Sequence, residues 1–297
     1  SAVNPEIIYA SCSGFGRKSN YGKKRALDAV VQAASGIMHL TGYADLPVKI
    51  GFSAVDLAAA VGLVGAVLGA LRTREATGSG MYVDLAMADI GVWMTQKAWP
   101  QVSAGGGTPS RLGNRSATAC PHNLFVVKDG FVAIAIDTDQ QWMKFTQLVR
   151  DNDLINDRTL ATVEGRLRNV ERIEKKIEGW LAGRSAAEVV TACQAAGVPA
   201  APVRDLADIV KDADVLSGKL IVDVEHPIAG KMKLLGNPLR FSRTPASVSS
   251  GAPVLGAHTE EILQSWLGLS EARILGLISD GVIMSALDSS SRVGVTG

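Results

Sequence analysis

From Leu57 to Leu71 the chain runs through Ala, Gly, Val and Leu without a single charge or hydrogen-bonding side chain. At helical spacing such a run has no polar face to offer water, so it predicts a helix that lies deep in the molecule, packed closely against other backbone. Asp56 opens this helix as its only acid. A carboxylate in a helix's first turn meets the positive end of the macrodipole and amide donors that have no intrahelical partner. Two readings of Asp56 follow: an N-cap, which is the common use of Asp at a helix start, or an ionised, partly dehydrated carboxylate available for chemistry.

The rest of the chain bounds what it can be. With 297 residues, a net charge of +1 and 47% hydrophobic content, it is large enough for one big core plus a smaller lobe. That charge balance leaves no basic footprint for nucleic acid or an anionic membrane. The apolar window is shorter than the ~20 residues that span a bilayer, and no basic, apolar, small-residue series opens the chain, so a cytoplasmic protein is expected. Cys12, Cys120 and Cys193 are odd in number and widely separated, as in a reducing compartment. Cys120-Pro121-His122 offers too few ligands for a metal, and His39 reads as a packed or dipole-facing side chain. Gly14-Phe15-Gly16 follows a strand, but Ser19 stands where a dinucleotide fingerprint has its third glycine.

Along the chain the spacing predicts a strand at Glu6 to Ser13 and a basic loop from Arg17 to Arg25 that is either a solvated surface or a contact for phosphates. A helix over Ala26 to Leu40, the apolar helix, a strand over Met81 to Met87 and a helix to about Val102 follow. This is the rhythm of an α/β sheet with covered faces. Gly105-Gly106-Gly107 marks a connector. A hairpin through Lys128-Asp129-Gly130 comes next, then a helix over Val163 to Ala182 and a capping box at Ser185 and Glu188. His226-Pro227 begins a β-rich return, Ser270 caps a last helix, and the tail from Ser289 to Gly297 is polar. The expected domains are 1–103, a large α/β domain; 104–225, a small inserted α+β domain; and 226–297, a return segment to the large domain.

Ile7 to Gly16, Gln32-Ala33-Ala34-Ser35-Gly36, the Asp56 helix, Arg74 to Gly80 and Val83 to Met87 occur in an order that resembles the class III coenzyme A transferases, the group of formyl-CoA transferase and carnitine CoA-transferase. The resemblance covers nearly the whole chain. It implies a Rossmann-like large domain, incomplete at its N-terminus, with an inserted smaller α+β domain, in a family of interlocked homodimers. The family's N-terminal portion, which supplies most basic contacts to the coenzyme A nucleotide, is not in this sequence, so a second polypeptide is an alternative source of it.

The resemblance also implies the chemistry. Coenzyme A moves from an acyl-CoA to a free carboxylic acid through an anhydride and then a thioester on an aspartate, matched here by Asp56. Coenzyme A is a substrate, with no tightly bound cofactor and no metal. Ser13, Gly14, Phe15 and Met87 match the lining of the pantetheine channel, and Asp84 is a lesser candidate nucleophile. The family's glycine-rich loop aligns with Asn114 to Pro121, which lacks those glycines. Two rivals stand beside transfer. One is α-methylacyl-CoA racemisation, whose branch carries a His where this chain has Leu27, directly before Asp28. The other is a non-catalytic subunit or fragment that needs a partner polypeptide.

Overall fold

The computed structural model describes residues 3–284, so the polar tail expected at 289–297 lies outside the described residues. The chain divides into two compact units, residues 1–203 and 204–297.

The first unit opens with β1 (Tyr9–Ser13), α1 (Asp28–Ala34), α2 (Ile37–Leu40), α3 (Ala54–Thr77), β2 (Tyr82–Ala86), α4 (Met87–Met94) and α5 (Trp99–Ser103). β1 and β2 pair in parallel, Tyr9 opposite Tyr82 through Ser13 opposite Ala86, with the two tyrosine rings stacked at 5.6 Å. Three helices make the crossover, as a parallel pair requires. Gly36, at φ 88°, divides the single helix expected over Ala26 to Leu40 into α1 and α2. The helix expected to run to Val102 likewise stops at Met94 and resumes at Trp99 after a 3-10 turn.

The apolar helix α3 overturns the deep burial expected of it. Ala54, Val55, Ala59 and Ala70 are buried, but Leu57, Val61, Val64 and Leu68 lie at 59%, 75%, 59% and 60% exposure. These four recur at steps of four and three, so they form one stripe along the helix. At 24 residues α3 is also longer than its uncharged window, and by length and composition alone it could cross a bilayer. The buried core in this part of the unit is Val31, Ile37 and Val55, with Met87 and Ile90 packed partly against it.

Beyond the glycine connector the texture changes. β3 (His122–Val127) and β4 (Gly130–Ala135) form the expected hairpin. α6 (Asp139–Val149), α7 (Asn152–Asn156), α8 (Val163–Arg168), α9 (Val170–Leu181) and α10 (Ala186–Ala195) follow, and β5 (Ala200–Pro202) adds a third strand against β4. The helix expected over Val163 to Ala182 is interrupted at Asn169, which stands at the N-cap position of α9 without a side-chain cap bond and donates instead to the Gly165 carbonyl at 2.8 Å. Both halves keep their apolar faces toward one core, including Phe125, Ile134, Phe145, Leu160, Ile173, Ile177 and Leu181. The capping box at Ser185 and Glu188 is present, with a second at Thr138 and Gln141.

The second unit holds α11 (Leu206–Ile209), α12 (Ala213–Ser217), the antiparallel hairpin β6 (Ile221–His226) and β7 (Gly230–Leu235), α13 (Thr259–Leu267) and α14 (Glu271–Ser279). Ser270 caps α14, as its position before Glu271 predicts.

Candidate active site

In a parallel pair joined by helices, the carboxyl ends of the strands and the amino ends of the following helices share one edge. β1 ends at Ser13 and β2 at Ala86, so Ser13-Gly14-Phe15 and Met87 come to that edge. The main chain joins them directly: the Ala88 amide donates to the Gly14 carbonyl at 2.9 Å. Gly14 is obligatory in this turn, because a Cβ there would sit 2.1 Å from the Cβ of Ala26. Ser13 Oγ accepts the Gly16 amide at 3.1 Å, closing the turn.

α3, which Asp56 opens, packs against β1. The charge of Asp56 acts on the Cys12 thiol of β1, which is held above its usual range chiefly by desolvation and then by that carboxylate. Asp56 is exposed and does not cap its helix; Ser53 occupies that position without a side-chain bond. The cap comes from Asp28, twenty-seven residues away, whose Oδ1 accepts the Val55 amide at 2.8 Å and the Asp56 amide at 3.2 Å. Its other oxygen accepts from the amide of Gln32, a fully buried side chain whose Oε1 accepts the Ile50 amide at 2.8 Å. The Ala54 and Leu57 amides are taken by the Phe52 and Ser53 carbonyls. All four amides at the start of α3 are therefore engaged, and none is left to hold an oxyanion. Leu27, where the racemase branch carries a histidine, stands 75% exposed at the N-cap of α1. Asp84, the lesser candidate, lies mid-strand on β2, away from the strand end.

A second carboxylate was passed over in the sequence. Thr41 to Val48 forms a tight hairpin in which Tyr43 and Leu46 exchange backbone bonds at 3.0 and 3.1 Å, so Ala44 and Asp45 form its tip. Arg111 grips it, donating from Nε to the Tyr43 carbonyl at 2.7 Å, from Nη2 to Ala44 at 2.7 Å and from Nη1 to His39 at 3.3 Å. The Gly113 amide adds a bond to the Gly42 carbonyl at 2.8 Å, and a Cβ at Gly113 would press on the Tyr43 ring at 3.1 Å. Gly42 before the tip and Pro47 after it were the available signal. Four residues beyond Arg111, Arg115 turns to the other side: its fork meets Glu174 of α9, the nearer oxygen at 2.5 Å, and Asn123 Nδ2 donates to the same carboxylate at 2.8 Å. Asn114 to Pro121, aligned with the family's glycine-rich loop, is thus tied down at Arg115.

Among the described residues no cluster of His, Cys, Asp and Glu could hold a metal ion. Cys120 and Cys193 are buried, and burial pushes both thiols up to about 11.

The family model of CoA-transferase family III matches residues 1–259. The chain belongs to that family. Within CoA-transferase family III, the succinyl-CoA:glutarate CoA-transferase of Mus musculus is 29% identical over 95% of this chain and 65% of its own length. The succinyl-CoA--L-malate CoA-transferase beta subunit of Chloroflexus aurantiacus is 30% identical over 95% of this chain and 71% of its own. A CAIB/BAIF family protein from Brucella suis superposes with a TM-score of 0.76 at 29% identity, covering 88% of this chain and 68% of that one. The chain thus spans less than two thirds of the mouse relative's length. Like that solved relative, it is a mixed α/β protein.

Proposed function

We propose that this chain carries the acid side of a class III acyl-CoA:carboxylate CoA-transferase, with Asp56 as its nucleophile. The observation that supports it is an exposed carboxylate at the start of α3, a helix packed against β1, with the Gly14 turn and Met87 together at the strand edge, in a member of this family. An Asp56 oxygen attacks the thioester carbonyl, the C–S bond breaks and coenzyme A leaves as a thiolate, giving a mixed anhydride. The thiolate attacks the aspartyl carbonyl, releasing the donor acid and leaving an aspartyl thioester. The acceptor carboxylate reverses both steps, so no proton is consumed. Ser13, Gly14, Phe15 and Met87 line the path of the pantetheine arm, and oxyanion donors come from outside the start of α3.

Asp45 is the second reading, favoured by one observation: Arg111 fixes the backbone of the hairpin tip that carries it. A displaced tip would cost rate steeply, which gives such a clamp a purpose. Racemisation lacks support, because Leu27 cannot serve as the second base.

The open stripe of α3 and the two-stranded sheet favour a working form that includes more protein: the rest of a longer chain, its partner in an interlocked homodimer, or a second polypeptide. A two-stranded parallel sheet does not stand alone. A cytoplasmic location is part of this reading, since the cytoplasm holds acyl-CoA substrates.

Incubation with acyl-CoA thioesters, trapping with hydroxylamine and peptide mass spectrometry test the assignment. An adduct on the Asp56 peptide, lost in Asp56→Ala and kept in Asp45→Ala, is the expected result. An adduct on the Asp45 peptide transfers the role to Asp45. No adduct, with α-proton exchange instead, overturns transfer altogether.

A further inference from the structure

Asp28 and Gln32 stand one turn apart on α1, so their side chains share a face of that helix. Asp28 lies in the first turn of its own helix, yet its oxygens serve another. Oδ1 accepts the Val55 amide at 2.8 Å and the amide of Asp56 itself at 3.2 Å. Gln32 is fully buried, and its partners decide which way its amide points. The Ile50 amide can only donate, so the atom it meets at 2.8 Å is Oε1. That turns the NH2 end toward Asp28 Oδ2 and toward the Phe52 carbonyl, the latter at 3.4 Å. Both ends of the buried amide are thereby engaged, and no other orientation satisfies them.

Among the described residues the Asp56 carboxylate accepts no hydrogen bond, so where it stands follows from the backbone that carries it. Ser53, at the N-cap of α3, makes no side-chain bond to hold that backbone. The hold comes from α1: Asp28 fixes the Val55 and Asp56 amides, and Gln32 fixes both Asp28 and the approach to the helix at Ile50 and Phe52. We infer that Asp28 and Gln32 are positioning residues for the transfer reaction, acting together through the main chain of the nucleophile. The inference rests on the transferase reading of Asp56. Neither side chain needs to touch a substrate. A nucleophile displaced by an ångström loses rate by about a hundredfold, and the pair prevents that displacement.

Single-turnover formation of the Asp56 adduct from succinyl-CoA, at a series of thioester concentrations, separates binding from positioning. In Asp28→Ala, compared as folded protein by circular dichroism, the saturating rate falls about ten- to a hundredfold while the half-saturating concentration stays within about twofold. Asp28→Asn is about as slow, because whichever way its amide turns, an NH2 group faces a donor, either Gln32 or the start of α3. Adding Gln32→Glu reverses the roles: the new amide donates to the new carboxylate, which still accepts the Ile50 amide. This double variant recovers about tenfold over Asp28→Asn alone. Hydrogen exchange reads the positioning without turnover, as Val55 and Asp56 amides that exchange about tenfold faster in Asp28→Ala while amides further along α3 keep their rates. A saturating rate within twofold of wild type in Asp28→Ala overturns the inference. So does a double variant no faster than Asp28→Asn, or unchanged exchange at both amides. Failure of the transferase reading shows separately, as no adduct in the wild type with the exchange difference intact.

Discussion

Residues 120–198 and the first hundred residues are built on opposite economies. The former surround Phe145, Ile134, Ile173, Ile177 and Leu181 with further buried neighbours from every local element. The latter hold the candidate nucleophiles, yet their buried core is Val31, Ile37 and Val55, with a longer stripe of Leu and Val facing outward on α3. Full burial of each such side chain is worth roughly 1.5–3 kcal/mol. The part that stabilises itself does so without the chemistry, and the part that holds the chemistry draws on apolar surface it has not covered.

The comparison is broken most readily by cutting both regions. Phe145→Ala destabilises the β3–β5 region by about 3–5 kcal/mol in urea denaturation, since its ring is wholly buried. Leu68→Ala, on the open stripe, changes stability by less than about 0.5 kcal/mol. Comparable losses would mean that the stripe is covered in solution and the contrast is false.

Asp28→Ala probes how the thinner region is joined. It strips an acceptor from two amides of α3 and a partner from buried Gln32, and costs about 1–2 kcal/mol. An unchanged melting temperature would show that the cap is unimportant.

Acid separates the regions by another route. Asp157 is held down to about 2 by its bonds from Thr159 and Arg172. A carboxyl depressed in the folded state contributes stability above its unfolded value near 4, and loses that contribution as pH falls from about 4 toward 2. Asp157→Asn flattens the melting-temperature profile in that window, and a profile parallel to wild type would discard the assignment.

The smallest effect is local. Asp56→Asn removes a charge that holds the Cys12 thiol up, so iodoacetamide labels Cys12 faster at pH 8, while buried Cys120 and Cys193 stay unlabelled. An unaltered rate would remove Asp56 from that strand end.

Local rules made the elements legible. Ser185 with Glu188, Ser270 before Glu271 and the Lys128-Asp129-Gly130 turn each specify their structure within a few residues, and the structure follows them. Where the reading failed, the cause was distance or context. The cap of α3 reaches it from Asp28, and no periodicity relates the two. The apolar composition of α3 signals that it wants cover but not that its own neighbours provide it. Asp45 was passed over because its distinction comes from Arg111, sixty-six positions on.

Arg111 and Arg115 fix the length of the loop between them. One arginine grips the 41–48 hairpin and the other grips α9, so the residues between them bridge two anchors at fixed separation. Substitutions at Leu112 or Asn114 leave both grips in place, whereas inserting or deleting one residue would force one of them to let go. The fold therefore constrains the length of that segment and its Gly113, whose Cβ would press on the Tyr43 ring, more than the identity of Leu112 or Asn114.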